Sequence, residues 1–205
     1  MKRALTTLAL PAVTLAALAA PLRAQVVGGL VRFGAAGGVT VPTGDLSNAS
    51  NVGWHAGPVV DLGFPLIPLG FRIDGMWHQL GSETVTVGPA SADLTTRIIA
   101  GTLNATYTFG LEAPVHFYLI GGLGVYNLRT KVEVTDRTTD AVSSSSDSET
   151  KFGLNAGAGV RFPLATHSAF VEARWHNIFS AGPEDSSGNR SSARVVPISA
   201  GITLF

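Results

Sequence analysis

From residue 29 to the end of the chain, apolar and polar residues alternate, and Pro/Gly-punctuated or long polar segments interrupt the alternation. Successive side chains in a strand point to opposite faces, so an apolar/polar period of two reads as strand. The pattern predicts strands at about 29–41, 52–64, 69–80, 95–109, 115–129, 151–163, 168–179 and 193–205. In the second, Trp54, Ala56, Pro58, Val60, Leu62 and Phe64 share a face opposite His55, Gly57, Val59 and Asp61. In the sixth, Phe152, Leu154, Ala156, Ala158, Val160 and Phe162 oppose Gly153, Asn155, Gly157, Gly159 and Arg161. In the seventh, Val171, Ala173 and Trp175 oppose Glu172, Arg174 and His176. The fifth strand is less clear, because both of its faces carry apolar residues.

The connections come in two kinds. Residues 65–68 (PLIP), 110–114 (GLEAP) and 164–167 (LATH) are short, as hairpin turns are. Residues 42–51, 81–94, 130–150 and 180–192 are long and polar, and read as loops. Short turns at one end and long loops at the other are the asymmetry of transmembrane β-barrels. The expectation is an all-β, eight-stranded, antiparallel up-and-down barrel.

Alternation alone does not say which face is outside, and a soluble barrel would turn its charged face outward. The aromatic residues decide the direction. Trp54, Trp77 and Trp175 lie on the apolar phase near the long-loop ends, while Phe33, Phe64, Phe71, Phe109, Phe117 and Phe162 lie on it near the short-turn ends. Two aromatic girdles bounding an aliphatic band match the two lipid interfaces. Trp54 and Phe64 are ten residues apart. At about 3.3 Å per residue and a tilt near 40°, that is roughly 25 Å, the height of the apolar band.

The first residues add a compartment. Lys2 and Arg3 precede an apolar stretch from Ala4 to Ala20, and Leu22-Arg23-Ala24 offers a small residue for cleavage before Gln25. Residues 1–24 therefore read as a secretory signal peptide, and 25–205 as one barrel domain. Pro11 and the short length argue against a membrane helix here. Without Lys2, Arg3 and Arg23, eleven basic residues face fourteen acidic ones, which argues against a nucleic-acid surface. The chain has no cysteine, so disulfides and thiolate metal sites are excluded. A chain this rich in glycine (24) and poor in charge (14%), with no later helical span, is still able to cross a membrane as a closed barrel.

With the apolar phase toward lipid, the other phase fills the lumen. It carries Arg32, Asp61, Arg72, Asp74, Arg161, Glu172 and Arg174, along with His55, His78, Thr102, Asn104, Thr106, Asn155 and His176. An eight-stranded barrel is just wide enough for side chains to fill it, and buried charges must be paired. An Arg–carboxylate network closing the lumen is expected, as scaffolding first and as a narrow gated water path second. The three lumen-phase histidines are not expected to bind metal, since the second and seventh strands lie far apart around the ring. No cofactor is expected. The acidic, Ser/Thr-rich segment 130–150 reads as a solvated outer loop, available to an extracellular ligand.

The VPTGDLSN segment after the first strand, the EARWHNIF run and the VVPISAGITLF tail resemble the outer-membrane β-barrel domain family, which includes the opacity, OmpX-like and OmpA-like eight-stranded porin-family proteins. The resemblance covers essentially all of 25–205. It implies a cell outer-membrane protein inserted by the barrel-assembly machinery, surrounded by outer-membrane lipids and monomeric. Members act variously as adhesins, envelope-stabilising proteins or slow pores. One departure stands out: Val196, Ile198, Ala200, Ile202 and Leu204 form the outward phase of the tail, and Phe205 is one step off it. Enzymes also occur on this architecture. His176, Ser180 and Glu184 loosely resemble the His/Ser/carboxylate set of outer-membrane lipid A deacylases, but Ser180 is four residues from His176 where same-face neighbours are two apart. The expected role is a non-enzymatic envelope scaffold displaying four extracellular loops, with a small passive channel as the alternative and a lipid-modifying enzyme behind it.

Overall fold

The computed structural model describes residues 31–204 except 49, 65–66, 88–89, 111–113, 137–140, 165–166 and 182–190. The expected signal peptide, Glu184, most of 180–192 and the off-phase Phe205 lie outside the described residues. Nine strands are described: β1 (Val31–Thr43), β2 (Asn51–Gly63), β3 (Leu69–Gly81), β4 (Glu83–Val87), β5 (Ala90–Phe109), β6 (His116–Asp136), β7 (Ala141–Leu164), β8 (His167–Ile178) and β9 (Ala193–Leu204). A 3-10 turn over Gly44–Asn48 follows β1, and its Gly44 has a positive φ of 62°. Gly110, with φ 66°, opens the short turn after β5; both are conformations that a residue without Cβ adopts without strain.

Sequential strands pair antiparallel, and the ring closes where β1 pairs with β9, from Phe33↔Leu204 to Thr43↔Arg194. β3 pairs directly with β5, so β1–β3 and β5–β9 form an eight-stranded closed wall. β4 continues the line of β3 above that wall and pairs with β5. Within the described eight-stranded wall, closure pairs every strand on both sides, which is the condition for crossing lipid.

Two of the expected long loops are instead largely strand. Residues 83–87 and 90–94 are paired, and the β6–β7 ladder continues without a break from His116↔Arg161 to Asp136↔Ala141. Above Leu128 the β6–β7 hairpin rises about eight more residues, or roughly 20 Å at the usual rise and tilt. The alternation fades there because both faces meet solvent, while the ladder hydrogen bonds continue.

The outer wall is apolar. Phe33, Leu123 and Phe152 are 64%, 64% and 72% exposed, within a continuous band of outward Val, Leu, Ile and aromatic residues. A band of this extent fits lipid rather than water. No helix among the described residues is long and apolar enough to cross a membrane; this wall crosses with strands.

Candidate functional site

The inward positions of the eight wall strands meet in a filled lumen with three layers. Lowest, toward the short turns, is the charged layer. Register sets it up: Asp61 on β2 lies opposite Arg32 on β1 and opposite Arg72 on β3. Arg72 is fully buried, and its Nε and Nη2 donate to the two oxygens of Asp61 at 2.6 and 3.1 Å. Its Nη1 donates across the barrel to Glu172 Oε2 at 2.8 Å. Arg161 Nη2 donates to Asp61 Oδ2 at 2.9 Å. Arg174 reaches Asp74 Oδ2 at 2.9 Å and Glu172 Oε1 at 2.7 Å. Thr102 and Asn104 donate to the same Asp74 oxygen at 3.1 and 2.7 Å. The bidentate Arg–carboxylate geometry is the strongest form of such a pair.

Two residues of this layer lie outside the polar set inferred from alternation. Tyr118 donates its hydroxyl to Glu172 Oε2 at 2.7 Å. Phe170 lies under the Arg72 guanidinium, 4.3 Å from its carbon to the ring centre. Parity could have found both, because Phe117 and Val171 point outward and their neighbours must point in. Inward glycines make room for these rings: a Cβ on Gly159 would sit 2.5 Å from Tyr118 Cζ, and one on Gly153 would sit 2.9 Å from the ring of Tyr126. Such close approach is a recognised use of glycine within a strand.

The middle layer is neutral and polar. Thr40 Oγ1 lies 3.0 Å from His55 Nδ1 and 2.8 Å from His78 Nδ1. A hydroxyl has one hydrogen, so Thr40 donates to at most one of the two rings and accepts from at least the other. His55 Nε2 meets Ser199 Oγ at 2.8 Å, and Tyr126 Oη meets His176 Nδ1 at 2.9 Å. By strand order His55 and His78 lie far around the ring from His176, but the fold gathers all three in the lumen. The ring centres of His78 and His176 are 6.4 Å apart, because the lumen is narrow enough for opposite walls to touch. Among the described residues no group of three ligating side chains is placed to hold a metal. Between these histidines and Arg174 the lumen narrows to a cavity of about 10 Å³, about one water in size.

The top layer is hydrocarbon: Leu80, Ile98, Leu128, Ile178, Ala193 and Val195, with Leu46 from the 3-10 turn, are all buried there. Alternation cannot reveal it, since apolar residues on the inward phase look like a lost period. At the opposite mouth, Arg32, Asp61, Thr106, His116 and Arg161 line a vestibule of about 190 Å³.

Outside, the three tryptophans and the six named phenylalanines are all exposed on the wall. Phe64 and Phe71 pack edge to face with ring centres 6.3 Å apart. Of His176, Ser180 and Glu184, His176 is buried against Tyr126 and Ser180 lies beyond β8 at φ 52°, while Glu184 lies outside the described residues.

The family model "Outer membrane protein beta-barrel domain" matches residues 5–196. In structure the chain is similar to Neisserial surface protein A, at 18% identity over 85% of this chain and 96% of that one, with TM-score 0.53. It is also similar to a major outer membrane protein from Thermus thermophilus, at 17% identity over 85% of this chain and 98% of that one, with TM-score 0.56. Both likenesses concern the fold. Among curated proteins none matches this chain.

Proposed function

This chain belongs to the outer membrane protein β-barrel domain family and sits in outer-membrane lipid; we propose that it serves there as a non-enzymatic envelope scaffold with a side-chain-plugged lumen. Its long-connection end, carrying the tall β6–β7 hairpin, is the outer face and displays the surface for any extracellular ligand. The Trp54, Trp77 and Trp175 row and the phenylalanine row are the girdles at the two interfaces. The chain works as a monomer, since the closed wall offers no edge to a second copy, and it enters the membrane through the barrel-assembly machinery.

One observation carries the plugged reading. Arg72 reaches across the lumen from Asp61 to Glu172, and Glu172 in turn holds Arg174. The hydrocarbon layer above this bridge adds a second barrier, because an apolar constriction gates a pore by excluding water. The burial of His176 in the lumen, away from the lipid face where a lipid substrate would dock, favours the non-enzymatic reading.

The test is planar-bilayer conductance of residues 25–205 after insertion is verified. Inserted protein is expected to be silent. Discrete, reproducible current steps would overturn the plug and establish the passive channel.

A further inference from the structure

Just above the Trp77 row, the outward face of β5 and β6 turns basic. Arg97 on β5 lies directly opposite Arg129 on β6, and Lys131 follows one outward step higher. Like charges directly opposed on neighbouring strands destabilise a sheet, so an anion between them would relieve the arrangement. The residues are partly ordered for one. Arg97 stacks 4.4 Å from the Trp77 ring centre, and its Nε donates to Gln79 Oε1 at 3.3 Å. Lys131 leans on Glu133 at 2.6 Å, which leaves Arg97 and Arg129 as the principal cations. With Thr95 and Ser144 to Ser146 they enclose a pocket of about 210 Å³, a set of cations and hydroxyls suited to a phosphate.

A second feature lies directly below on the same strands. Ile73, Leu103, Leu123, Val125 and Phe152 wall an apolar groove of about 450 Å³, and Gly101 forms part of its floor. A Cβ added at Gly101 would meet nothing within 4 Å. Gly101 is four residues below Arg97, roughly 13 Å along the strand. The charged pocket therefore sits at headgroup height and the groove at acyl-chain height, in the order in which a lipid presents these groups. Among the described residues, Arg97, Arg129, Lys131 and Arg194 are the outward Lys and Arg side chains, and all four lie at the long-connection end.

The geometry points to a seated-lipid site: one lipid with a phosphate-bearing headgroup, its phosphate held by Arg97 and Arg129 with Lys131, and an acyl chain lying over Gly101. Membrane placement is all it requires, so it stands whether or not the lumen conducts.

The test uses the full barrel reconstituted in phosphatidylcholine nanodiscs with a minority of phosphatidic acid, or of diacylglycerol with the same acyl chains, and counts retained lipid by native mass spectrometry. Phosphatidic acid is expected to stay bound and diacylglycerol to be lost. The triple variant Arg97→Gln/Arg129→Gln/Lys131→Gln is expected to weaken phosphatidic acid binding on the order of a hundredfold. Arg194→Gln, on β9, is expected to leave it unchanged. Gly101→Phe fills the groove without touching charge and is expected to lower retention several-fold. Folding of each variant is read from its heat-modifiable gel mobility. Equal loss in Arg194→Gln, or full retention in Gly101→Phe, would reduce the site to general surface charge and overturn the proposal. So would displacement of phosphatidic acid by inorganic phosphate at equal concentration, which would make it a soluble-phosphate site.

Discussion

The two ends of the lumen are closed by opposite chemistry. At the short-turn end a fully buried guanidinium is held by two carboxylates from opposite walls. At the long-connection end the same kind of inward positions carry Leu80, Ile98, Leu128, Ile178 and Val195, with no ion among them. The first closure is directional and shared: removing one partner weakens the pairing of buried charges that the remaining partners must then hold. The second is additive, and each side chain contributes roughly its own buried area and fit. The His–Thr–Tyr layer between them supplies hydrogen bonds without formal charge pairs, a graded passage from one to the other. The difference teaches that one narrow lumen is filled in two independent ways, by paired charges at one end and by hydrocarbon at the other.

The largest expected effect tests the directional closure. Arg72→Ala takes from Asp61 its bidentate partner and from Glu172 one of its two arginines, leaving Arg161 on the first and Arg174 with Tyr118 on the second, and is expected to cost about 3–5 kcal/mol. Urea unfolding in vesicles, followed by tryptophan fluorescence, reads this. Next comes the additive closure, where Ile98→Ala should cost roughly 2–5 kcal/mol through lost burial and a residual cavity. Neither variant alone is expected to produce current steps, because the other layer stays shut. A greater loss from Ile98→Ala than from Arg72→Ala would reverse the comparison and make the hydrocarbon layer the principal brace.

The smallest effect sharpens the directional side. Tyr118→Phe removes one donor from Glu172 and leaves both arginines in place. It is expected to cost about 1.5–3 kcal/mol, the range for a hydrogen bond to a charged group. A loss equal to that of Arg72→Ala would mean that the tyrosine, rather than the ion pairs, positions Glu172.

Period-two alternation in β2, β7 and β8 was enough to read strands, closure and the outward aromatic residues, because each of these strands has one apolar and one polar face. It was weaker in β6, read as a strand over 115–129 without a clear inward phase, because Tyr118, Ile120, Tyr126 and Leu128 make the inward face as apolar as the outward one. It fades above the membrane, where residues 129–136 and 141–148 carry few apolar side chains, Val134 and Val142 meet solvent, and the strands remain paired.

The sequence by itself determined the architecture, the compartment and which residues share a phase, since period, hydropathy and strand length are local properties that lipid filters directly. Only the tertiary structure decided who touches whom. Arg72 and Glu172, and Arg174 and Asp74, are each a hundred residues apart and meet because the ring closes at a fixed diameter. The same closure gathers His55, His78 and His176, and it stacks a hydrocarbon layer over an ionic one. The reason is geometric: alternation sets which way a side chain points, while shear and circumference set how far it must reach.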